Sequence, residues 1–447
     1  MVSAVEQLAR NTNWSTLAKA SDLKRRILFV LGALIIYRLG TYIPVPGIDP
    51  HVWKEIFTQK SGGILDMFNL FSGGALQRMT VFALNIMPYI SASIIMQLAT
   101  SMSPRLEEMK KEGEAGRTKI NQYTRYFTVF LASIQAYGLA VGLESMQGPN
   151  GSAVIDPGMF FRISTMITIV GGTVFLMWIG EQITQRGIGN GISLIIFSGI
   201  VAELPRAVAS TLELGRQGQF NLLELLMLVV MITGVIAFIV FIERAQRRVV
   251  VQYPKRQAVA GGAPQSQQNF IPLKLNTSGV IPPIFASSLL LLPLTIVGFS
   301  GIDGGGIASA ISRWLQHGEP LYMLMYGALI VFFTFFYTAV VFNPEDNADM
   351  LKRYGGFVPG IRPGKPTAEY LDHVLTRITV IGALYLVFIC LLPEVLISHY
   401  NIPFYFGGTS LLIVVTVTLD TVAQVHSHMI AHQYEGLIKK SKLRGRK

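Results

Sequence analysis

Charge is scarce in this chain. Only 14% of the residues are Asp, Glu, Lys or Arg, against ~25% in a soluble domain. With 51% hydrophobic residues and a mean hydropathy of +0.46, that excludes an ordinary water-soluble protein and indicates an integral membrane protein. Cysteine is nearly absent. The single Cys390 lies in an apolar run, so no internal disulfide can form and no redox role is suggested. Catalytic signatures are missing as well. Gly187-Ile188-Gly189-Asn190-Gly191 is not a dinucleotide fingerprint, and Gly360 to Pro366 lacks the spacing and hydroxyl of a phosphate-binding loop. No HExxH or GxSxG occurs. His426, His428 and His432 form the one histidine cluster. It reads as a solvated juxtamembrane helix, not a metal site. No catalytic apparatus and no cofactor are expected. Residues 1–22 are polar, and no small-residue cleavage site follows the first apolar run, so that run is expected to be a membrane helix and not a cleaved leader.

What is abundant is apolar sequence of spanning length, near 25–43, 79–100, 124–143, 159–180, 187–204, 220–242, 275–298, 320–342, 374–393 and 404–424. Ten spans put both termini on one side. Lys and Arg set the orientation. With the N-terminus cytoplasmic, only Lys54, Lys60, Arg78, Arg162, Arg206, Arg216 and Arg313 fall on the far side, and Arg38 falls within the first span. The formal charge of +11 is therefore concentrated on the cytoplasmic face. Five crossings invert the second half relative to the first, which makes an inverted repeat a natural expectation; ten spans without symmetry are the alternative. The expected division is a cytoplasmic segment 1–23, an N-terminal half 24–204, a C-terminal half 205–424 and a basic tail 425–447.

The stretch 61–100 is unusual. Met79 to Thr100 carries no charge and is long enough to span as a helix. Before it, Ile64, Leu65, Met67, Phe68, Leu70 and Phe71 form an apolar stripe at helical spacing between Gly62-Gly63 and Gly73-Gly74. Such a stripe is too short to span and too apolar for a solvated loop. It reads as re-entrant, which is tolerated only where protein or an internal cavity surrounds it.

Acidic residues avoid the membrane interior: Glu144, Glu181, Glu224, Glu394 and Asp420 lie near span boundaries. A coupled transporter keeps ionisable groups at mid-membrane, so the absence weighs against a secondary transporter of inverted-repeat design. A membrane-embedded protease or lipid enzyme lacks paired catalytic groups. Isoleucines stand there instead. Ile86 and Ile90 share a face at i,i+4, as do Ile192 and Ile196, accompanied by Asn85, Ser91, Ser93, Asn190 and Ser193. A mixed polar and β-branched face suits a wet cavity narrowing to an apolar constriction.

Two cytoplasmic loops are long and basic. Residues 243–274 carry Arg244, Arg247, Arg248, Lys255 and Arg256, with valines 249–251 reading as a short hairpin strand. Residues 343–371 carry Lys352, Arg353, Arg362 and Lys365, and their paired glycines and X-Pro steps predict shaped turns instead of a helix. Both suit docking of a large partner, through RNA phosphates or an acidic protein face.

The segments FNLFSGGAL, MPYISASI, KKEGEAGRTKINQYTRY, EQITQRGIGNGISLIIF, LKLNTSGVIPPIFASS, FNPEDNADMLK, FVPGIRPG and NIPFYFGGTSLLIVV, in order between about Lys24 and Glu435, closely resemble the SecY/Sec61-alpha family. The resemblance implies an all-α membrane protein, ten transmembrane helices in two inverted pseudo-symmetric halves with a re-entrant plug helix. Its function would be a protein-conducting channel that moves unfolded secretory polypeptides and releases transmembrane segments laterally into lipid.

Residue roles follow from the resemblance alone. Ile64, Leu65, Asp66, Met67, Phe68, Asn69, Leu70 and Phe71 match the plug. Ile86, Ile90, Ile192, Ile196, Ile284 and Ile413 match the pore ring, and spans two, three, seven and eight match the lateral gate. Thr80, Asn190 and Ser287 are similar in position to polar residues near gate and plug. Arg244, Arg247, Arg248 and Arg256 match one docking loop; Arg362, with Lys365, matches the other, which meets the SecA ATPase or the ribosome. Implied partners are SecE and SecG as a heterotrimer, signal peptides and nascent chains, membrane lipids, and SecDF and YidC more loosely. The implied location is the bacterial cytoplasmic (inner) membrane. Asn85 departs from the family where a small residue is expected, and residues 258–270 and 299–319 match no motif.

Overall fold

The computed structural model describes residues 21–59, 69, 72–148, 151–218, 222–253, 269–299, 319–400 and 408–444. The chain forms two compact units, one of Met1–Ser210, Leu291–Gln316 and Val417–Lys447, the other of Thr211–Leu290 and His317–Thr416.

The first unit holds α1 (Ser21–Gly40), α2 (Pro50–Gln59), α3 (Met87–Met102), α4 (Pro104–Lys111), α5 (Glu114–Ser145), α6 (Met159–Arg186) and most of α7 (Gly191–Arg216). A hairpin of β1 (Gln147–Gly148) and β2 (Gly151–Ser152) joins α5 to α6. α5 packs on α3 and α6, and α1 packs on α6. The sequence of α5 explains this: Ala132, Ala136 and Ala140 recur every four residues on its buried face, and small side chains let helix backbones approach closely. On α6, Gly172 and Gly180 serve the same end. A Cβ on Gly172 would lie 2.2 Å from the Val81 carbonyl oxygen, and one on Gly191 of α7 would lie 1.9 Å from that of Gly180. The opposite face of α6 leaves Phe160, Ile163, Ile167 and Trp178 exposed, as a lipid-facing surface requires. Hydroxyls inside α5 satisfy themselves, Thr124 donating to the Ile120 carbonyl and Thr128 to that of Thr124.

The second unit holds α8 (Leu222–Arg244), β3 (Gln246–Val251), β4 (Asn269–Lys274), most of α9 (Ile281–Phe299), α10 (Pro320–Val341), α11 (Pro344–Arg353), α12 (Lys365–Tyr400) and the start of α13 (Gly408–Arg444). α12 packs on α10 and α11. Phe285 of α9 meets Phe333 of α10 edge to face with centroids 5.8 Å apart. Gly408 opens α13 against α12, where a Cβ would come 1.8 Å from the Ile389 carbonyl oxygen.

Among the described residues, seven helical stretches are long and apolar enough to cross a membrane, those on α5, α6, α7, α8, α10, α12 and α13. The other three expected spans differ. α1 carries Lys24, Arg25, Arg26 and Arg38 along its 20 residues, and α9 contributes a shorter apolar stretch, Ile281–Leu290. α3 is 16 residues because the helix expected from Met79 begins only at Met87. Residues 79–86 run through turns, with left-handed Met79 (φ 46°) and Asn85 (φ 48°). Pro88 fits the first helical turn, but a helix continued backwards would press its ring on the residue 84 carbonyl. A second expectation is corrected at 343–371: α11 occupies Pro344–Arg353. The Asn343 side chain caps it by accepting from the Glu345 N–H at 3.0 Å, with Pro344 in the first turn and Lys352 and Arg353 in the last.

Candidate functional site

In the first unit Asn69 and the segment from Ser72 to Ile90 are held by a mixture of backbone and side-chain bonds. Of the expected plug residues, Asn69 is described, and Ile64, Leu65, Asp66, Met67, Phe68, Leu70 and Phe71 lie outside the described residues. Asn69 is tied down three times. Its carbonyl accepts from the Gly74 N–H (2.9 Å) and the Ser72 hydroxyl (3.1 Å), and its Oδ1 accepts from the Gln77 N–H (2.9 Å). α1 grips Ser72 and Gly73: Tyr37 donates to the Ser72 carbonyl at 3.2 Å and Arg38 to the Gly73 carbonyl at 2.7 Å. Gly73 (φ 64°) is required here, because a Cβ would sit 2.8 Å from the Gly199 Cα. The segment then pairs with the α1–α2 connection, Val45 N–H donating to the Met79 carbonyl (2.9 Å) and Val81 N–H to the Ile43 carbonyl (3.0 Å).

Thr80 lies fully buried at that crossing and donates through its hydroxyl to the Ala75 carbonyl at 3.2 Å. Ile86 and Ile90 follow, both buried, with the Ile90 N–H bonded to the Ile86 carbonyl at 3.0 Å. On α7, Ile196 is buried and Ile192 half-buried. Asn190 has a definite task as the cap of α7: its Oδ1 accepts from the Ile192 N–H at 3.1 Å, and its carbonyl accepts from the Leu194 N–H at 3.0 Å. Neighbouring Gly189 (φ 90°) donates to Gln424 Oε1 of α13 at 2.8 Å.

In the second unit Ile284 and Ser287 lie one turn apart on α9, both buried, with the Ser287 hydroxyl bonded to the Ile284 carbonyl at 3.0 Å. Ile413 on α13 is fully buried. None of the six isoleucines is exposed.

The basic loops share one scaffold. β3 and β4 pair antiparallel, with Arg247 opposite Leu273 and Val249 opposite Ile271. The alternation of β3 turns Val249 and Val251 inward and leaves Arg247, Arg248 and Val250 exposed. Val249 and Leu273 form one apolar cluster with Val358, Leu371 and Ile378. Gln252 and Phe357 exchange two backbone bonds, 2.8 and 2.9 Å, which zip the loops together. Arg244, Arg247, Arg248, Arg362 and Lys365 are all exposed. Arg248 stacks over the Phe270 ring at 4.9 Å, and among the described residues none of the five pairs with a carboxylate. Arg256 lies outside the described residues. Sequence reading passed over the Gln252–Phe357 pairing, which no local pattern announces. It also passed over Asn343, whose Asn-Pro-Glu-Asp run is a helix-start signal.

The first unit thus offers buried or half-buried branched side chains at the starts of α3 and α7 beside an anchored turn, and the second offers two more near the starts of α9 and α13, together with a cationic surface on its β3–β4 hairpin and the adjoining loop.

The sequence profile describing the SecY family matches residues 80–422. The protein translocase subunit SecY of Escherichia coli strain K12 is 56% identical over 425 residues, covering 95% of this chain and 96% of that protein. Among solved structures, one described as a protein conducting channel aligns with TM-score 0.64 at 17% identity, over 90% of this chain and 92% of that one. Sec61 in the canine ribosome-channel complex aligns with TM-score 0.61 at 18% identity, over the same shares.

Proposed function

We propose, from the premise that the chain belongs to the SecY family, that it is the pore-forming subunit of a protein translocase in a bacterial inner membrane. It is a multi-pass membrane protein, and its relatives are named as translocase and channel subunits. The observation that carries the reading is the 56% identity sustained over 95% of the chain.

In this reading unfolded secretory polypeptides thread a collar formed by Ile86, Ile90, Ile192, Ile196, Ile284 and Ile413. Branched aliphatic side chains have no charge with which to hold an ion, so diverse chains slide past while water and ions are excluded. Support comes from the burial of these side chains, which keeps all six away from a lipid-facing surface. Residues 64–71 act as a plug that leaves the collar while Asn69 and the 72–77 turn keep its trailing end attached. Transmembrane segments leave sideways into lipid. Opening needs differential binding: a signal helix and a docked partner together must favour the open state by a few kcal/mol. No covalent chemistry is assigned to the chain.

The cationic scaffold of Arg244, Arg247, Arg248, Arg256, Arg362 and Lys365 docks a ribosome or the SecA motor, with both termini on that same cytoplasmic side. A ribosome is the partner in the canine complex to which this fold is similar. SecE and SecG complete the complex.

The test is crosslinking. Cysteines at the six isoleucine positions, one at a time, are expected to crosslink to a stalled secretory chain, and cysteines at the exposed Phe160 and Ile167 are not. Crosslinks at the exposed positions alone would overturn the reading.

A further inference from the structure

Basic residues on the non-cytoplasmic side run against the charge bias of the chain, so each invites an explanation. Arg162 has one, an ion pair with Glu144 at 2.6 Å. Three others converge. Lys54 of α2, Arg78 of the 72–86 turn and Arg206 of α7 line a single cavity of about 370 Å³ together with Gln77. Small-molecule sites start at a few hundred Å³.

The polar ends that reach the cavity are mostly donors, on a lining otherwise formed by the aliphatic stems of the same side chains. Among the described lining side chains the one uncharged acceptor, Gln77 Oε1, is already occupied by Arg206 at 2.9 Å. The nearby carboxylate is Glu203, which lies 3.3 Å from Arg206 and 3.7 Å from Arg78. Those separations are longer than the ~2.7–2.9 Å of a strong charge-assisted bond. Among the described residues, three cations against one carboxylate leave the cavity net positive with guanidinium donors to spare. Arg78 is also fixed in place. Arg78 lies over the Tyr42 ring at 4.3 Å and donates to the Thr41 carbonyl at 3.4 Å. Gly74 (φ 81°) lets Glu203 approach, since a Cβ there would come 2.4 Å from its Oε1.

We propose that this cavity binds a phosphate group, either the headgroup phosphate of an outer-leaflet anionic phospholipid or free phosphate. Cations arriving from three separate elements match the tetrahedral set of phosphate oxygens better than the planar pair of a carboxylate. A lipid source is favoured by what adjoins Arg78. Tyr42, beneath its guanidinium, is exposed, as are Leu39 and Ile43 beside it, an apolar path for acyl chains under an aromatic residue of the kind found at membrane interfaces.

The full-length chain in its native complex is delipidated in detergent and offered two probes. Phosphatidylglycerol, with phosphatidylcholine as the neutral control, is read as bound lipid by native mass spectrometry. Inorganic phosphate is read by titration calorimetry. Lys54→Gln and Arg206→Gln each remove a rim charge and are checked for unchanged melting. Each variant is expected to weaken binding of the effective probe by about tenfold, the effect of losing one charge-assisted contact. Arg216→Gln, on the same side but outside the cavity, is expected to leave binding unchanged. Retention of phosphatidylglycerol without phosphate binding identifies the lipid headgroup, and the converse identifies free phosphate. Equal retention by wild type and both cavity variants, binding of neither probe, or an equal loss in Arg216→Gln would overturn the proposal.

Discussion

Arg125 and Glu181 join α5 to α6 through two short bonds, Nε to Oε1 at 2.8 Å and Nη2 to Oε2 at 2.7 Å. The other ends of the same helices are joined by the reverse pair, Glu144 of α5 with Arg162 of α6 at 2.6 Å. In both helices the two clamp residues are 19 positions apart, about 28 Å along an α-helix. That is close to the ~30 Å of hydrocarbon in a bilayer. Ion pairs are costly within lipid and cheap at its borders, so the clamps mark where the antiparallel helices leave the membrane.

The Glu144–Arg162 clamp should be the stronger. Glu144 is only 10% exposed and also accepts from the Gly158 N–H at 3.0 Å, whereas Arg125 is 46% exposed. Glu144→Gln is expected to lower stability by about 1–2 kcal/mol, and Arg125→Gln by less than about 1 kcal/mol. Melting of the complex in detergent reads both. Glu144→Arg combined with Arg162→Glu should recover part of the loss.

Asn190 separates two roles that coincide in sequence. The resemblance makes it a polar residue near the gate; the structure makes its side chain the cap of α7. Asn190→Ala is expected to cost about 1 kcal/mol of stability, and Asn190→Asp, which keeps the accepting oxygen, to retain most of it. If Asp restores melting but not export, the residue has a transport role beyond capping.

Close backbone approach sets another contrast. Gly191→Ala would force a methyl to 1.9 Å from the Gly180 carbonyl oxygen, so α6 and α7 must part. A loss of at least about 2 kcal/mol is expected. Gly234 of α8 has nothing within 4 Å, and Gly234→Ala should be neutral or slightly stabilising. Limited proteolysis and melting distinguish the two.

These cases show what the sequence made legible. Long apolar runs revealed helices because length and lack of charge suffice, and the valines of β3 revealed a strand through their alternation. The strand β4 stayed hidden because Pro272 interrupts it and its partner lies across a long loop. The unwound stretch before α3 read as helix because its residues are as apolar as those of a span, and left-handed Met79 and Asn85 carry no compositional mark. α11 went unread because glycines and prolines around it outweighed the Asn343-Pro344 cap. At the candidate site, the isoleucine pairs on α3 and α7 could be read from spacing. The tether of Asn69 could not, because its bonds reach residues three to eight positions away through a turn that no local pattern announces.

The docking scaffold supports a prediction about charge. Arg362 is exposed, and the Thr367 hydroxyl donates to its carbonyl at 2.8 Å, so the backbone holds the loop tip while the guanidinium stays available. Arg362→Glu reverses a charge without touching the cluster of Val358 and Leu371 beneath it. Motor-driven export into vesicles is expected to fall at least about tenfold while melting is unchanged. Normal SecA-dependent transport by the variant would remove Arg362 from the docking surface.

The collar itself is most directly tested by polarity. Ile413 is fully buried and Ile90 nearly so, and both sit on helices whose neighbouring side chains are uncharged. If the isoleucines form the proposed collar, Ile90→Asn or Ile413→Asn places an amide among its branched alkyl groups, which favours wetting of the constriction. The closed state is weakened relative to the open one, so less binding energy is needed from a signal helix to open it. Each variant is expected to export precursors with defective signal sequences that the wild type rejects, and to raise ion leak across proteoliposomes. Ile381, an exposed apolar residue of α12, provides the control: Ile381→Asn should leave signal discrimination intact. If all three variants discriminate signals as well as the wild type does, the isoleucines do not seal the channel.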